Sequence, residues 1–242
     1  MNIHIDISDD AETLGRRAAA KIAGFINAAI REKGEARIIL STGMSQFETL
    51  SALISYDIEW NKVEMFHLDE YIGINEDHPA SFRKYLKERF TSNVHLKAAY
   101  FVESIDSIPY LTEELRREDI DVGVIGIGEN AHIAFNDPPA DFETPEAYKV
   151  VTLDRKCREQ QVKEGWFASF EDVPEKAITM CVKEILKAKH IVSAVPHKAK
   201  ADAVYKTITE SISPDIPATI LKTHPDWNLF IDKESASRLL NM

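Results

Sequence analysis

The segment from Val122 to Pro138 reads V-G-V-I-G-I-G-E-N-A-H-I-A-F-N-D-P and predicts a buried strand followed by a glycine turn. Its apolar start, Val122 to Ile125, is typical of a strand that is covered on both faces. Gly126 and Gly128 permit a sharp turn or the close approach of a ligand. Open α/β sheets bind ligands at such strand ends, so the segment indicates an α/β fold with a site at this turn.

Strand patterns and helix patterns alternate along the whole chain. We predict strands at residues 3–7, 37–40, 63–68, 98–102, 122–127, 148–153, 190–195 and 229–231. We predict helices from Asp9 or Asp10 to Gly34 and at residues 46–55, 81–90, 109–117, 155–165, 174–187 and 198–210. This alternation predicts a single domain over residues 1–242, with a doubly wound, Rossmann-like and mostly parallel α/β sheet that carries helices on both faces. In the first strand, Ile3, Ile5 and Ile7 are expected to form a half-buried face.

The composition excludes several classes of partner. Forty acidic against 29 basic residues give a net charge of -11, which argues against nucleic acid as a partner. No apolar run approaches the roughly 18 residues of a membrane span, and residues 1–7 alternate like a strand rather than a signal peptide. We expect a cytoplasmic protein that binds a small molecule, and the sequence leaves homo-oligomerisation open.

Metal and disulfide chemistry find no support in the sequence. Cys157 and Cys181 have neither metal-ligand spacing nor the pattern of a disulfide framework. The eight histidines are scattered, so we expect no metal site and no cofactor.

The turn after strand 37–40 carries hydroxyl groups, a glycine and the start of a helix, in the order Ser41, Thr42, Gly43, Met44, Ser45. Backbone N–H groups and a helix dipole would make this turn a cradle for an anion. A plain turn with Ser45 as the helix N-cap explains the pattern equally well.

Three basic residues are candidate partners of a bound anion. Lys198 opens a predicted helix, where the dipole disfavours a cation unless an anion is bound, although a flexible surface lysine is an equal alternative. Arg158 and Lys163 lie on a helix that is otherwise a charged surface.

Two further strand ends carry groups that can move protons. Asp69 and Glu70 follow a buried strand and point in different directions, so at most one of them faces a crevice as a general base. In the opening segment, His132 can exchange protons near neutral pH, with Asp137 or Asn130 orienting its ring. A solvated turn and a structural histidine are the corresponding alternatives.

These motifs together resemble those of the glucosamine-6-phosphate deaminase (isomerase) family, which shares its fold with 6-phosphogluconolactonase. The resemblance covers nearly the whole chain. It rests on S-T-G-M-S-Q at 41–46, F-H-L-D-E-Y-I-G at 66–73, H-P-x-S at 78–81, the segment 126–138 and Lys198. Members of this family that respond to N-acetylglucosamine 6-phosphate carry a C-terminal extension, and we expect no such regulation here.

The resemblance implies that glucosamine 6-phosphate is converted to fructose 6-phosphate and ammonia without a metal or cofactor. Asp69 would move a proton between C2 and C1, and His132, oriented by Asp137 and Asn130, would help to open the sugar ring. The implied phosphate ligands are Thr42, Gly43, Met44, Ser45 and Lys198, with Arg158 or Lys163 closing over them.

The sequence departs from many family members at a few positions of this site. Asn130 replaces an aspartate, Asp137 replaces a glutamate, and Met44 and Ala131 stand where glycine is frequent. An asparagine cannot ionise, so a carboxylate relay through position 130 is excluded. A lactonase, or a sugar-phosphate sensor without catalysis, is the alternative function.

Overall fold

A seven-stranded parallel sheet forms the centre of the computed structural model, which describes residues 3–163 and 165–240. Its strands are β1 (Ile3–Ser8), β2 (Ala36–Leu40), β3 (Val63–His67), β5 (Ala98–Tyr100), β6 (Val122–Val124), β9 (His190–Val195) and β10 (Trp227–Asp232). They lie in the order β1-β10-β9-β6-β2-β3-β5 and every neighbouring pair is parallel. The predicted mostly parallel α/β sheet is confirmed.

Helices cover both faces of this sheet. They are α1 (Ala11–Lys33), α2 (Phe47–Leu53), α3 (Phe82–Leu86, continued by a π-turn at Lys87–Thr91), α4 (Ile108–Arg116), α5 (Arg155–Lys163), α6 (Val182–Ile185), α7 (Ala201–Thr209) and α8 (Ser237–Leu240). Alternate strand residues enter two separate cores: Ile38 and Leu40 pack with α1 and α2, whereas Ile39 packs with α4, α6 and α7. This is the doubly wound arrangement that the sequence predicts.

Local signals define the long helix α1 as predicted. The Asp10 side chain accepts the Thr13 N–H at 2.7 Å and so caps the first turn. Gly34 ends the helix in the left-handed region, with φ of 86°. Within residues 3–163 and 165–240, no helix combines the length and the apolarity that a membrane span requires.

A second, antiparallel sheet corrects one helix prediction. Residues 174–187 do not form a helix: β8 (Lys176–Met180) pairs with β4 (Asp69–Tyr71) on one side and with β7 (Tyr148–Thr152) on the other, and only the short α6 follows it. The run A-I-T-M fits a buried strand as well as a helix, and the long-range pairing decides the outcome.

The face of β1 is also different from the prediction. Ile5 and Ile7 remain 44% and 42% exposed, because β1 is an edge strand that the helix layer on this face leaves uncovered. The helix predicted at 155–165 is α5, and residue 164 lies outside the described residues.

The contact between α1 and α2 depends on a glycine, and we predict that Gly15→Ala destabilises the fold. A Cβ at position 15 would lie 2.7 Å from the Glu48 carbonyl carbon of α2, so the two helices would have to separate. We expect the free energy of unfolding to fall by about 1–3 kcal/mol in urea denaturation. Gly24→Ala, in the same helix with no atom within 4 Å, is the matched control and should raise it by about 0.5–1 kcal/mol. Equal effects of the two substitutions would contradict this packing.

Candidate active site

A cavity of about 170 Å³ opens where four adjacent parallel strands end. Residues that follow the carboxyl ends of β9, β6, β2 and β3 line it. The chain order reverses between β2 and β6, and open α/β sheets bind ligands at such a reversal. The predicted site residues in its wall are Thr42, Gly43, Met44, Ser45, Asp69 and His132.

The turn after β2 has the geometry of an anion cradle. Gly43 has φ of 103°, which a residue with a side chain rarely adopts, and its carbonyl accepts the Tyr85 hydroxyl at 2.9 Å. The Ser41 hydroxyl accepts the Gly126 N–H at 3.1 Å and so joins this turn to the one after β6. Met44 lies in a short 3₁₀ turn outside the left-handed region, so its side chain adds no backbone strain.

The structure separates the predicted cations from the cavity. Lys198 is exposed and does not line it, whereas Lys200, two residues later, does. The Arg158 guanidinium donates to the carbonyls of Phe170 and Val173, both at 2.9 Å, and therefore fastens α5 to the following loop. Lys163 is exposed at the end of α5 and is also outside the cavity wall.

Asp69 and Glu70 point in opposite directions along β4. Asp69 is 5% exposed and lines the cavity. The Glu70 carboxylate instead accepts the N–H groups of Phe82 and Arg83, at 3.1 and 2.9 Å, and thereby caps the start of α3. Burial, together with the negative charges of Glu70 and Asp137, raises the pKa of Asp69 well above its usual value. Asp69 therefore has the environment of a proton acceptor rather than of a salt-bridge partner.

His132, Asp137 and Asn130 form a connected group beside the cavity. The His132 Nδ1 atom lies 3.2 Å from Asp137 Oδ1. Asn130 uses both ends of its amide: Nδ2 donates to Asp137 Oδ1 at 3.1 Å, and Oδ1 accepts the His132 N–H at 3.1 Å. An ionised aspartate at position 130 could make only the second of these bonds. The asparagine therefore suits a neighbour that is itself a carboxylate.

The loop that carries this group is held in a strained conformation. Ala131 and Ala134 have φ of 66° and 51°, a region that costs a residue with a side chain about 1–2 kcal/mol. Long-range bonds hold the loop in place: Ala218 N–H donates to the Ala131 carbonyl at 2.8 Å, and Phe135 N–H donates to the Thr179 hydroxyl at 3.0 Å. The strain at Ala131, a position where glycine is frequent in the family that the sequence resembles, is therefore offset by the surrounding structure.

Sequence reasoning missed a helix face that lines the cavity. Cys157, Gln160 and Gln161 of α5 all contribute to the wall, as does Trp166 beyond the helix. The three helical residues have the spacing i, i+3, i+4, which places them on one face. That spacing in the sequence indicates a shared face, but the charged residues around it are typical of a helix that faces solvent.

One group in the described part of the chain has side chains that could hold a metal ion. Ligand atoms of His197, Asp232 and Glu234 lie within 4.8 Å of one another. Asp232 already accepts the N–H groups of His197 at 2.9 Å and Ser235 at 2.7 Å. These bonds explain the Asp232 carboxylate as the cap of a turn, and we assign no metal ion to the three residues.

A family model described as glucosamine-6-phosphate isomerases/6-phosphogluconolactonase matches residues 9–229. Curated relatives named glucosamine-6-phosphate deaminase include one from Thermoanaerobacter pseudethanolicus, 36% identical over 90% of this chain and 89% of that protein. Another, from Clostridium botulinum, is 34% identical over 98% of this chain and 99% of that protein.

Solved structures agree with this likeness. A monomeric glucosamine-6-phosphate deaminase superposes with a TM-score of 0.85 at 30% identity, covering 97% of this chain and 99% of that chain. A 6-phosphogluconolactonase from Shewanella baltica superposes with a TM-score of 0.78 at 18% identity, covering 96% and 98%, and so shares the fold.

Gly128 leaves room for the His132 ring, and we predict that Gly128→Ala displaces it. A Cβ at position 128 would overlap the imidazole, while the Gly128 backbone lies outside the left-handed region and tolerates alanine. The His132 ring signals in NMR spectra, assigned with His132→Gln, should therefore move. Gly123→Ala, whose Cβ would meet Ala188 at an ordinary 3.4 Å, should leave them in place. Unchanged His132 signals in Gly128→Ala would contradict the contact.

Proposed function

Because the chain belongs to the family of glucosamine-6-phosphate isomerases and 6-phosphogluconolactonases, we propose that it converts glucosamine 6-phosphate and water to fructose 6-phosphate and ammonia. The observation that carries this proposal is that one cavity is lined both by a buried carboxyl group, Asp69, and by His132, whose ring lies beside the Asp137 carboxylate. The reaction needs two proton-transfer groups with different tasks, and this site offers both.

The histidine group suits the opening of the sugar ring. Opening moves a proton from the C1 hydroxyl to the ring oxygen, which a single imidazole can relay. We assign this task to His132, whose Nδ1 atom is directed by Asp137 while Asn130 holds both residues in position.

Asp69 suits the isomerisation that follows. In the open chain, its carboxylate removes the proton from C2 and returns it to C1. A proton of the substrate's ammonium group passes to the C1 oxygen, so that the C=O bond at C1 becomes a C–OH group and a protonated C=N bond forms at C2. Water then adds to C2 and ammonia leaves, giving the ketone. The raised pKa of Asp69 strengthens it as a base and lets it hold the proton between the two carbons.

The cradle after β2 suits the phosphate group. The Thr42–Ser45 turn and its glycine offer backbone N–H groups, and Lys200 supplies a cation in the same cavity wall. We propose Lys200 as the phosphate cation in place of Lys198. Arg158 and Lys163 remain predictions that would require α5 and its loop to rearrange.

We further propose that the chain forms one catalytic domain and acts in the cytoplasm. The family match runs through both sheets, which supports one catalytic domain. Cys157 and Cys181 are free thiols, which supports a cytoplasmic location.

We predict that the purified protein releases ammonia from glucosamine 6-phosphate and that Asp69→Asn lowers kcat about a thousandfold. The amide keeps the shape of the side chain but cannot take a proton, so substrate affinity should change little. Ammonia release is measured with a coupled dehydrogenase assay and binding with calorimetry. Asp69 must be ionised to act, so kcat of the wild type should fall on acidification at a higher pH than an ordinary carboxyl group gives.

The alternatives predict other results in the same experiment. Hydrolysis of 6-phosphogluconolactone without ammonia release would favour the lactonase. Tight binding of glucosamine 6-phosphate without turnover would favour a sensor. Full activity of Asp69→Asn would show that another group is the base.

The position of the phosphate cation gives a second prediction. Lys200→Ala should raise KM roughly thirtyfold because it removes a charge-assisted contact to phosphate. Lys198→Ala, two residues away on the exposed side of the same turn, is the matched control and should change KM by less than about twofold. Steady-state kinetics with glucosamine 6-phosphate measure both. A larger effect for Lys198 would restore the assignment made from the sequence.

A further inference from the structure

The turn after β2 has successive backbone N–H groups that could donate to a ligand. Among residues 3–163 and 165–240, nothing accepts a hydrogen bond from the N–H groups of Thr42, Gly43, Met44 or Ser45, and all four residues line the cavity. Such a run of unpaired N–H groups attracts an anion. A carbonyl oxygen in the same place would repel an anion, so the orientation of each peptide in the turn decides what it binds.

The Gly43 carbonyl lies in the middle of this turn and is fully bonded. It accepts the Gln46 N–H at 3.0 Å and the Tyr85 hydroxyl at 2.9 Å. A carbonyl oxygen has two lone pairs, so both are in use. The first bond closes the local 3₁₀ turn, whereas the second comes from α3, 42 residues further along the chain. Tyr85 therefore fixes the direction of this carbonyl from outside the turn.

The Gly43–Met44 peptide has the freedom to adopt another orientation. Gly43 has φ of 103° and ψ of 165°, and a glycine passes between backbone regions that other residues avoid. Rotation of this peptide plane would turn the carbonyl oxygen to the side on which the Met44 N–H group now lies. The turn would lose one donor, and a group that repels an anion would take its place.

Tyr85 is itself held by residues that connect it with β4. Its ring stacks on that of Phe47 in α2, with the ring centroids 5.5 Å apart. The Glu70 carboxylate accepts the hydroxyl of Ser81, the N-cap of α3, at 3.0 Å, and so holds the helix that carries Tyr85. Glu70 directly follows Asp69 along β4. One strand therefore positions the proposed base and, through α3, the proposed phosphate cradle.

We propose that Tyr85 is a positioning residue for phosphate binding: its hydroxyl holds the Gly43–Met44 peptide so that the N–H group, rather than the carbonyl, is presented to the ligand. This proposal rests on the phosphate cradle of the function proposed above. The hydroxyl acts through the peptide and not by touching the substrate. Its loss should therefore weaken phosphate binding and leave the proton transfers unchanged.

Two tyrosines allow a matched binding experiment with inorganic phosphate. Tyr85→Phe removes the hydroxyl and keeps the ring that stacks on Phe47. Tyr100→Phe is the control, because the Tyr100 hydroxyl donates to the Glu114 carboxylate at 3.1 Å and lies outside the cavity wall. In calorimetry, the affinity for phosphate should fall about fivefold in Tyr85→Phe and stay unchanged in Tyr100→Phe. Equal affinities of the wild type and Tyr85→Phe would overturn the proposal.

A second readout reports on the peptide itself. Gly43–Met44 is the only Gly–Met pair in the sequence, so carbon-13 glycine and nitrogen-15 methionine labels give one NMR signal for this peptide. The signal should move in Tyr85→Phe before phosphate is added and stay in place in Tyr100→Phe. In the wild type it should respond to phosphate, which tests the turn without any substitution. Weaker phosphate binding in Tyr85→Phe with an unmoved signal would mean that the hydroxyl touches the ligand, and the positioning role would be wrong.

Kinetics separate this proposal from the proposed function. With glucosamine 6-phosphate, Tyr85→Phe should raise KM about fivefold and leave kcat within about twofold of the wild type. A fall in kcat at unchanged KM would contradict the role. If the wild type releases no ammonia, the proposed function fails, and the phosphate experiments still decide the role of Tyr85. Ammonia release by a protein whose Gly43–Met44 signal ignores phosphate would overturn the role of Tyr85 and leave the function standing.

Discussion

At Leu68 the chain passes from the parallel sheet to the antiparallel sheet. The geometry of the site depends on the hydrogen bonds that fix the backbone at this residue. β3 ends at His67 as part of the parallel sheet, and β4 begins at Asp69 as part of the antiparallel one. The Leu68 carbonyl accepts the Met180 N–H at 2.9 Å, and the His67 carbonyl accepts the Tyr148 hydroxyl at 2.9 Å. These bonds fix the register of β4, and the alternation of side chains then places the carboxyl group of Asp69 in the cavity and that of Glu70 on α3.

Most of the parallel sheet could be predicted because its signals are local, whereas the second sheet could not. β2, β6 and β9 are short apolar runs between turn residues, and the caps of α1 are explicit in the sequence. β8 forms because β4 and β7 pair with it on either side, and no pattern within residues 176–180 predicts this long-range pairing. The cation that we propose differs from the one that the sequence indicates for a similar reason. In the 3₁₀ turn Lys198–Lys200, Lys198 is exposed and Lys200 lines the cavity, and the start of a helix is the feature that sequence locates least well.

The positions of the main candidate site residues could be predicted, but the contacts among them could not. Asp69 and His132 could be singled out because each follows a buried strand. The hydrogen bond between the Asn130 amide and the Asp137 carboxylate could not, because it depends on how the loop folds. What the fold adds is the contrast between two carboxyl groups: burial and like charge raise the pKa of Asp69, while donors lower the pKa of Asp137.

That contrast gives a reason for a neutral side chain at position 130, beside Asp137. A lysine or arginine at position 130 would also hold Asp137 ionised, but its charge would lower the pKa of nearby Asp69 and weaken the base that we propose. An aspartate at position 130 would add a negative charge and lose the donated hydrogen bond. The Asn130 amide supplies its hydrogen bond without net charge. It stabilises the Asp137 carboxylate and leaves the pKa of Asp69, in the adjoining cavity, to be set mainly by burial.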